Sequence, residues 1–207
     1  MMIDRRDLLG RAALSLAVGA AASLTPSISL ALSEEEATAY VKSTVEEVAS
    51  LVDSAGDAAS KAPKLREIMQ RRAAMPQIAR FAAGVSWRSM SEDQQRRFTD
   101  AFAKFISGIY ANQFQEYSGQ TKASELFQMG RVIDAGRKGM LVQSTIVRTG
   151  AAPVVVEWLV TDRPGRIVVA DIVIEGVSML ITEREEIGSM LEARGGDVEK
   201  LISDLAA

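Results

Sequence analysis

Apolar positions recur every third or fourth residue over most of the chain, but between Leu126 and Glu175 they recur every second residue. The first pattern predicts helices and the second predicts strands. Ser33 and Glu36 have capping-box spacing, and Val41, Val45, Val48 and Val52 follow at helical intervals, with Ala37, Tyr40, Thr44 and Leu51 beside them. Gly56 ends this first helix. A second helix is expected from Ala62-Pro63, since proline suits a first turn. It turns Leu65, Ile68 and Met69 inward and Arg66, Arg71 and Arg72 to water. A short helix from Pro76 carries Ile78, Phe81 and Ala82 on one side and closes at Gly84, with Trp87 in the connection after it. Ser91 and Gln94 give another capping box. The long helix it opens runs to Tyr117 and stops at Gly119. Phe98, Phe102, Phe105 and Ile109 form its apolar stripe, and Ile106, Tyr110 and Phe114 widen it. One neighbouring helix would not cover a stripe of that width. Packing across a sheet or a ligand would.

Four extended runs follow: Leu126 to Asp134, Lys138 to Arg148, Pro153 to Asp162 and Arg166 to Glu175. The connections Ala135-Gly136-Arg137, Thr149-Gly150-Ala151-Ala152 and Arg163-Pro164-Gly165 are short and turn-forming, which predicts hairpins. The expected fold is therefore α+β: a four-stranded antiparallel meander packed against N-terminal and C-terminal helices, since no crossover helix is available for a parallel sheet. In the third strand Val154, Val156, Trp158 and Val160 face inward, opposite Glu157 and Thr161. In the second, Val142 and Ile146 face inward with small Ser144 between them. A buried Trp158 needs a partner for its indole N–H. In the fourth, Asp171 and Glu175 are assigned to the wet face and Val168, Ala170, Ile172 and Ile174 to the dry one. Gly176 breaks this strand, and Thr182 with Glu185 is expected to cap a helix burying Ile187, Met190 and Leu191. Gly195-Gly196 ends it before a last amphipathic set, Val198, Leu201, Ile202 and Leu205.

The chain has 207 residues, 47% of them hydrophobic, enough for one domain with a core. Its net charge of -3 does not suit nucleic-acid binding. With no His and no Cys, there is no material for His-dependent triads, thiol chemistry, disulfides or His/Cys metal sites. No phosphate-binding glycine loop or nucleophile elbow is present. Asp171 and Glu175 as an acid/base pair are the weakest option, because the face assigned to them is open to solvent. The N-terminus reads as an export signal. Arg5, Arg6 and Arg11 precede a mildly apolar run from Ala12 to Leu24, too short for a membrane span, and Ser29-Leu30-Ala31 offers a cleavage site. Residues 1–31 are therefore expected to be removed, by a twin-arginine-like or a general secretory route, leaving 32–207 as one domain.

An antiparallel sheet facing apolar helices, without reactive groups, suits enclosure of an apolar molecule. An interaction or adaptor subunit with a filled core is the alternative, and the two differ in interior volume. The stretch Gly84-Val85-Ser86-Trp87, then Ser91, Gln94, Phe98, Phe102, Tyr110-Ala111 and Tyr117-Ser118-Gly119, resembles the MlaC-type, toluene-tolerance family. So does Asp171-Ile172-Val173-Ile174-Glu175-Gly176-Val177-Ser178, with Arg184 and Gly195-Gly196 after it. The resemblance covers essentially all of 32–207. Met75-Pro76-Gln77 departs from the family's usual acidic and aromatic start, as a hopanoid-associated branch could.

The resemblance implies a non-enzymatic, cofactor-free periplasmic carrier of phospholipid or a related lipid, hopanoids included. Its implied partners are an inner-membrane ABC transporter bearing an MCE-domain protein and an outer-membrane lipoprotein complex. A monomer is expected. The acyl chains would lie between sheet and helices, against Ile78, Phe81, Phe102, Phe105, Ile106, Ile109, Tyr110 and Phe114 from the helices. From the sheet they would meet Val142, Ile146, Val154, Val156, Trp158, Val160, Ile172, Ile174 and Val177.

Overall fold

Ser33 starts the first helix by exchanging two hydrogen bonds with Glu36: its Oγ accepts from the Glu36 amide at 3.1 Å, and Glu36 Oε2 accepts from the Ser33 amide at 2.9 Å. In the computed structural model, which describes residues 32–117, 122–147, 150–163 and 165–207, this helix is α1, Glu34–Asp53. The expected export segment lies outside the described residues, as do Ser118 and Gly119 and parts of two expected hairpin loops. Helix α2, Ala58–Arg72, starts four residues earlier than the proline suggested, because Asp57 caps it by accepting from the Ser60 amide at 2.9 Å. Pro63 then lies inside the helix. Helix α3 is Met75–Ala83 and leads through a 3-10 turn, Gly84–Arg88, to α4, Glu92–Tyr117. The Ser91–Gln94 capping box forms as expected, with bonds of 2.8 and 3.2 Å. A short α5, Ala123–Leu126, precedes the sheet.

The strands are β1 Phe127–Asp134, β2 Met140–Ile146, β3 Val154–Arg163, β4 Arg166–Ile174 and β5 Val177–Ser178, antiparallel throughout in the order β1-β2-β3-β4-β5. The sheet thus has five strands and not the expected four. Glu175 and Gly176 both take left-handed backbone, φ 50° and 81°, which closes a two-residue hairpin between β4 and β5. Neighbouring β3 supports this unfavourable conformation at Glu175: the Val155 carbonyl accepts from the Glu175 amide at 3.0 Å, and the Val155 amide donates to the Glu175 carboxylate.

A second departure lies in β4. Its register with β3 slips between Leu159↔Asp171 and Val160↔Val169, which makes Ala170 the extra residue of a bulge. Ile167 and Val169 therefore join Ile172 and Ile174 on one side, and Val168 is buried on the other. The expected inward set of Val168, Ala170, Ile172 and Ile174 is corrected accordingly. Helix α6, Met179–Glu192, starts three residues before Thr182, because Ser178 is its cap and accepts from the Ile181 amide at 3.2 Å. Helix α7 is Val198–Leu205.

Helix α1 covers one sheet face, where Ala37, Val41 and Val45 meet Val142, Val156, Trp158, Val160 and Val169. Helix α4 instead packs against α2, α3 and α7. Its Phe98, Phe102 and Ile106 form a core with Met75, Ala79, Ile187 and Leu201. Leu51, Leu65, Ile68 and Ala111 join α1, α2 and α4 in a third apolar cluster. The two layers meet at the edge of β4, where the Ala74 amide donates to the Val169 carbonyl at 2.8 Å. Among the described residues no helix is long and apolar enough to cross a membrane.

Candidate functional site

Strand register sets the apolar sheet surface row by row. Val142, Trp158 and Ile172 lie side by side, as do Ser144, Val156 and Ile174; Val160 sits between Met140 and Val169, and Ile146 faces Val154. Trp158 Nε1 donates to Ser144 Oγ at 2.9 Å, and both residues are buried. The partner demanded by a buried indole is thus the small serine two strand positions from Val142. Val142, Val156 and Val160 are closed over by α1, whereas Ile146, Val154, Ile172 and Ile174 keep part of their surface open.

The helical candidates sit differently. Phe102 and Ile106 are fully enclosed in the helical core, and Ile78, Phe105 and Tyr110 line its margin. Phe114 stacks on Tyr110, ring centroids 6.5 Å apart, and Ile109 is half-buried. Phe81 is exposed, with the Arg184 guanidinium 4.9 Å from its ring centre, and Val177 is more exposed still. The structure therefore places the sequence candidates on two apolar surfaces, one on the sheet and one among the helices, with Phe81 and Val177 exposed.

Two polar features lie beside these surfaces, on β4 and α6. Asp171 does not face open solvent as expected. Its Oδ1 accepts from the Ile172 and Leu180 amides at 2.8 and 3.0 Å, and its Oδ2 accepts from the Ser178 hydroxyl at 2.6 Å. It ties β4, β5 and the start of α6 together, and both carboxylate oxygens are occupied. The second feature is Glu183, which sequence reading missed. It is buried on α6, its Oε1 accepts from the Tyr110 hydroxyl at 3.1 Å, and its Oε2 has no hydrogen-bond partner among the described residues. Burial raises the pKa of its carboxyl, and neighbouring Glu186 adds to the rise against the opposing Tyr110 bond. Burial likewise pushes the Tyr110 hydroxyl up, with the Glu183 charge reinforcing it. In sequence Glu183 stands beside Glu185 and Glu186, and only the helical phase set by tertiary packing separates it from them. Among the described residues no group of three or more His, Cys, Asp or Glu is placed to hold a metal ion.

Comparison with known proteins places this geometry. A phospholipid-binding protein from Ralstonia solanacearum, solved in complex with a phospholipid, shares the fold: TM-score 0.63, 23% sequence identity, 83% of this chain and 99% of that one covered. No curated protein matches the chain. The profile of the family described as MlaC protein matches residues 38–207, from within α1 to the C-terminus. The chain belongs to the MlaC family.

Proposed function

We propose that this protein is a periplasmic lipid carrier that holds the acyl chains of a phospholipid or a related lipid such as a hopanoid. In this reading it passes them between an outer-membrane lipoprotein complex and an inner-membrane ABC transporter with an MCE-domain protein. The observation that carries the reading is the family match over residues 38–207. The Ralstonia protein of similar fold, which holds a phospholipid, supports it.

The physical case concerns which surfaces have area left to cover. Hydrocarbon gains about 0.8 kcal/mol per buried CH₂, so a dozen methylenes gain roughly 10 kcal/mol. Fully enclosed Phe102, Val142 and Val160 have nothing further to gain. Partly open Phe105, Ile109, Phe114, Ile146, Val154, Ile172 and Ile174 do. We place the chains along these residues, at the seam between the sheet with α1 and the helical layer. Such a holding energy corresponds to a Kd of roughly 10⁻⁷ M, so a partner that opens the seam or competes for the chains would speed unloading and keep the chains out of water.

Native mass spectrometry of protein purified without detergent, paired with lipid analysis of an organic extract, tests this. The expected result is an adduct of lipid mass with the same lipid in the extract. A bare polypeptide mass with an empty extract would leave the filled-core adaptor as the better reading.

A further inference from the structure

A cleft of about 570 Å³ opens where the C-terminal turn of α2 meets α1 and the start of β4, lined by Tyr40, Glu47, Arg71, Arg72, Arg166 and Ile167. Part of its chemistry is structural. Arg72 Nε donates to Glu47 Oε2 at 2.8 Å, its Nη1 donates to Ser43 Oγ at 3.2 Å, and its guanidinium lies 5.3 Å from the centre of the Tyr40 ring. Arg71 Nη2 pairs with Glu47 Oε1. Arg166 Nη2 donates to the Ala73 carbonyl at 3.2 Å and, more weakly, to that of Gln70 at 3.5 Å, where carbonyls at a helix C-terminus favour positive charge. Burial of Glu47 would raise its carboxyl pKa, but the bonds from Arg72 and Arg71 outweigh this and hold it below the usual carboxylate range.

What remains is a surplus. Three permanently charged guanidiniums face one carboxylate, on a chain whose net charge is -3. Among the described residues, Arg72 Nη2 and the Nε and Nη1 of both Arg71 and Arg166 form no hydrogen bond. Planar forks of this kind match the oxygens of a phosphoryl group. The Tyr40 ring and Ile167 give the same cleft an apolar wall, continuous with the sheet surface under α1.

We propose that this cleft binds a phosphoryl group, from inorganic phosphate or from the headgroup of an anionic phospholipid. The phosphoryl site stands whether or not the protein carries lipid; only the headgroup source rests on the carrier reading. The test titrates the full chain by calorimetry with two probes, inorganic phosphate and dihexanoyl phosphatidylglycerol below its micelle concentration. Each is repeated on Arg71→Gln/Arg166→Gln and on Arg71→Lys/Arg166→Lys. Both side chains are on the surface, and unchanged circular dichroism and urea midpoint certify each variant's fold. If the glutamine pair misfolds, the lysine pair carries the test, since it keeps the charge and loses the fork.

The expected result is saturable binding of at least one probe, weakened at least tenfold by glutamine and severalfold by lysine. Weakening for phosphate alone assigns the site to the free anion, and weakening for the lipid analogue assigns it to a headgroup. Absence of saturable binding for both probes, or binding unaltered in folded variants, overturns the proposal. An empty lipid extract alongside intact phosphate binding would remove the carrier reading and leave this site in place.

Discussion

A buried indole that loses its acceptor is costly, because the desolvated N–H then has no partner. Ser144→Ala removes the acceptor of Trp158 while taking away a single oxygen. A loss of about 1–3 kcal/mol is expected, read as a lower urea midpoint. Adding Trp158→Phe, which removes the donor as well, should cost less than the sum of the two single changes. Glu183 makes a prediction of opposite character. Its pKa is raised in the folded state, so its favourable contribution is complete below the ordinary glutamate value of 4.5 and is lost as pH rises through the higher folded value. The urea midpoint of Glu183→Gln, measured from pH 4 upward, should therefore gain on that of the native protein as pH increases. Parallel pH profiles for the two proteins would show that this carboxyl is not desolvated as its burial requires.

Two of the three expected capping boxes were legible because their signals are local, whereas the starts expected at Thr182 and Pro63 gave way to earlier caps at Ser178 and Asp57. The capping boxes at Ser33 and Ser91 form with the residues their spacing named, and the inward sets of β2 and β3 follow from period-two alternation alone. Three further features of the fold were not legible, each for a physical reason. Strand β5 has two residues, too few to show a period. The bulge at Ala170 interrupts alternation, so a strict count of two puts Val168 on the wrong side. The phenylalanine stripe of α4 shows that the face is buried but not by what; α1, with smaller residues, takes the sheet, and α4 takes the other helices. Gly139 shows how backbone contact constrains an element beyond any pattern. Its φ is 113°, and a Cβ there would lie 2.0 Å from the Val160 carbonyl oxygen. Gly139→Ala should cost roughly 2 kcal/mol or more and loosen the β2–β3 pairing, read by urea denaturation and faster amide exchange at Met140 and Val160.

At the scale of the whole molecule the carrier reading proposed above makes the seam between layers the place where loading acts. Apolar chains cannot reach surface closed under α1 or between the helices unless one layer moves against the other. The layers are joined at the edge of β4, where Ala73 bridges Val169 and the Ala74 amide donates to the Val169 carbonyl, and again where the Tyr40 hydroxyl donates to the Arg72 carbonyl at 3.0 Å. Residues paired in a parallel bridge of this kind lie at the strand spacing, about 5 Å, within the Cα range of a disulfide. The chain contains no cysteine, so Ala73→Cys/Val169→Cys introduces one lock and no competing pairings. The oxidised protein should take up fluorescent phospholipid from donor vesicles at least tenfold more slowly than the same protein reduced, with its fold unchanged by circular dichroism. Equal uptake in both redox states would mean that hydrocarbon enters without parting β4 from the helical layer.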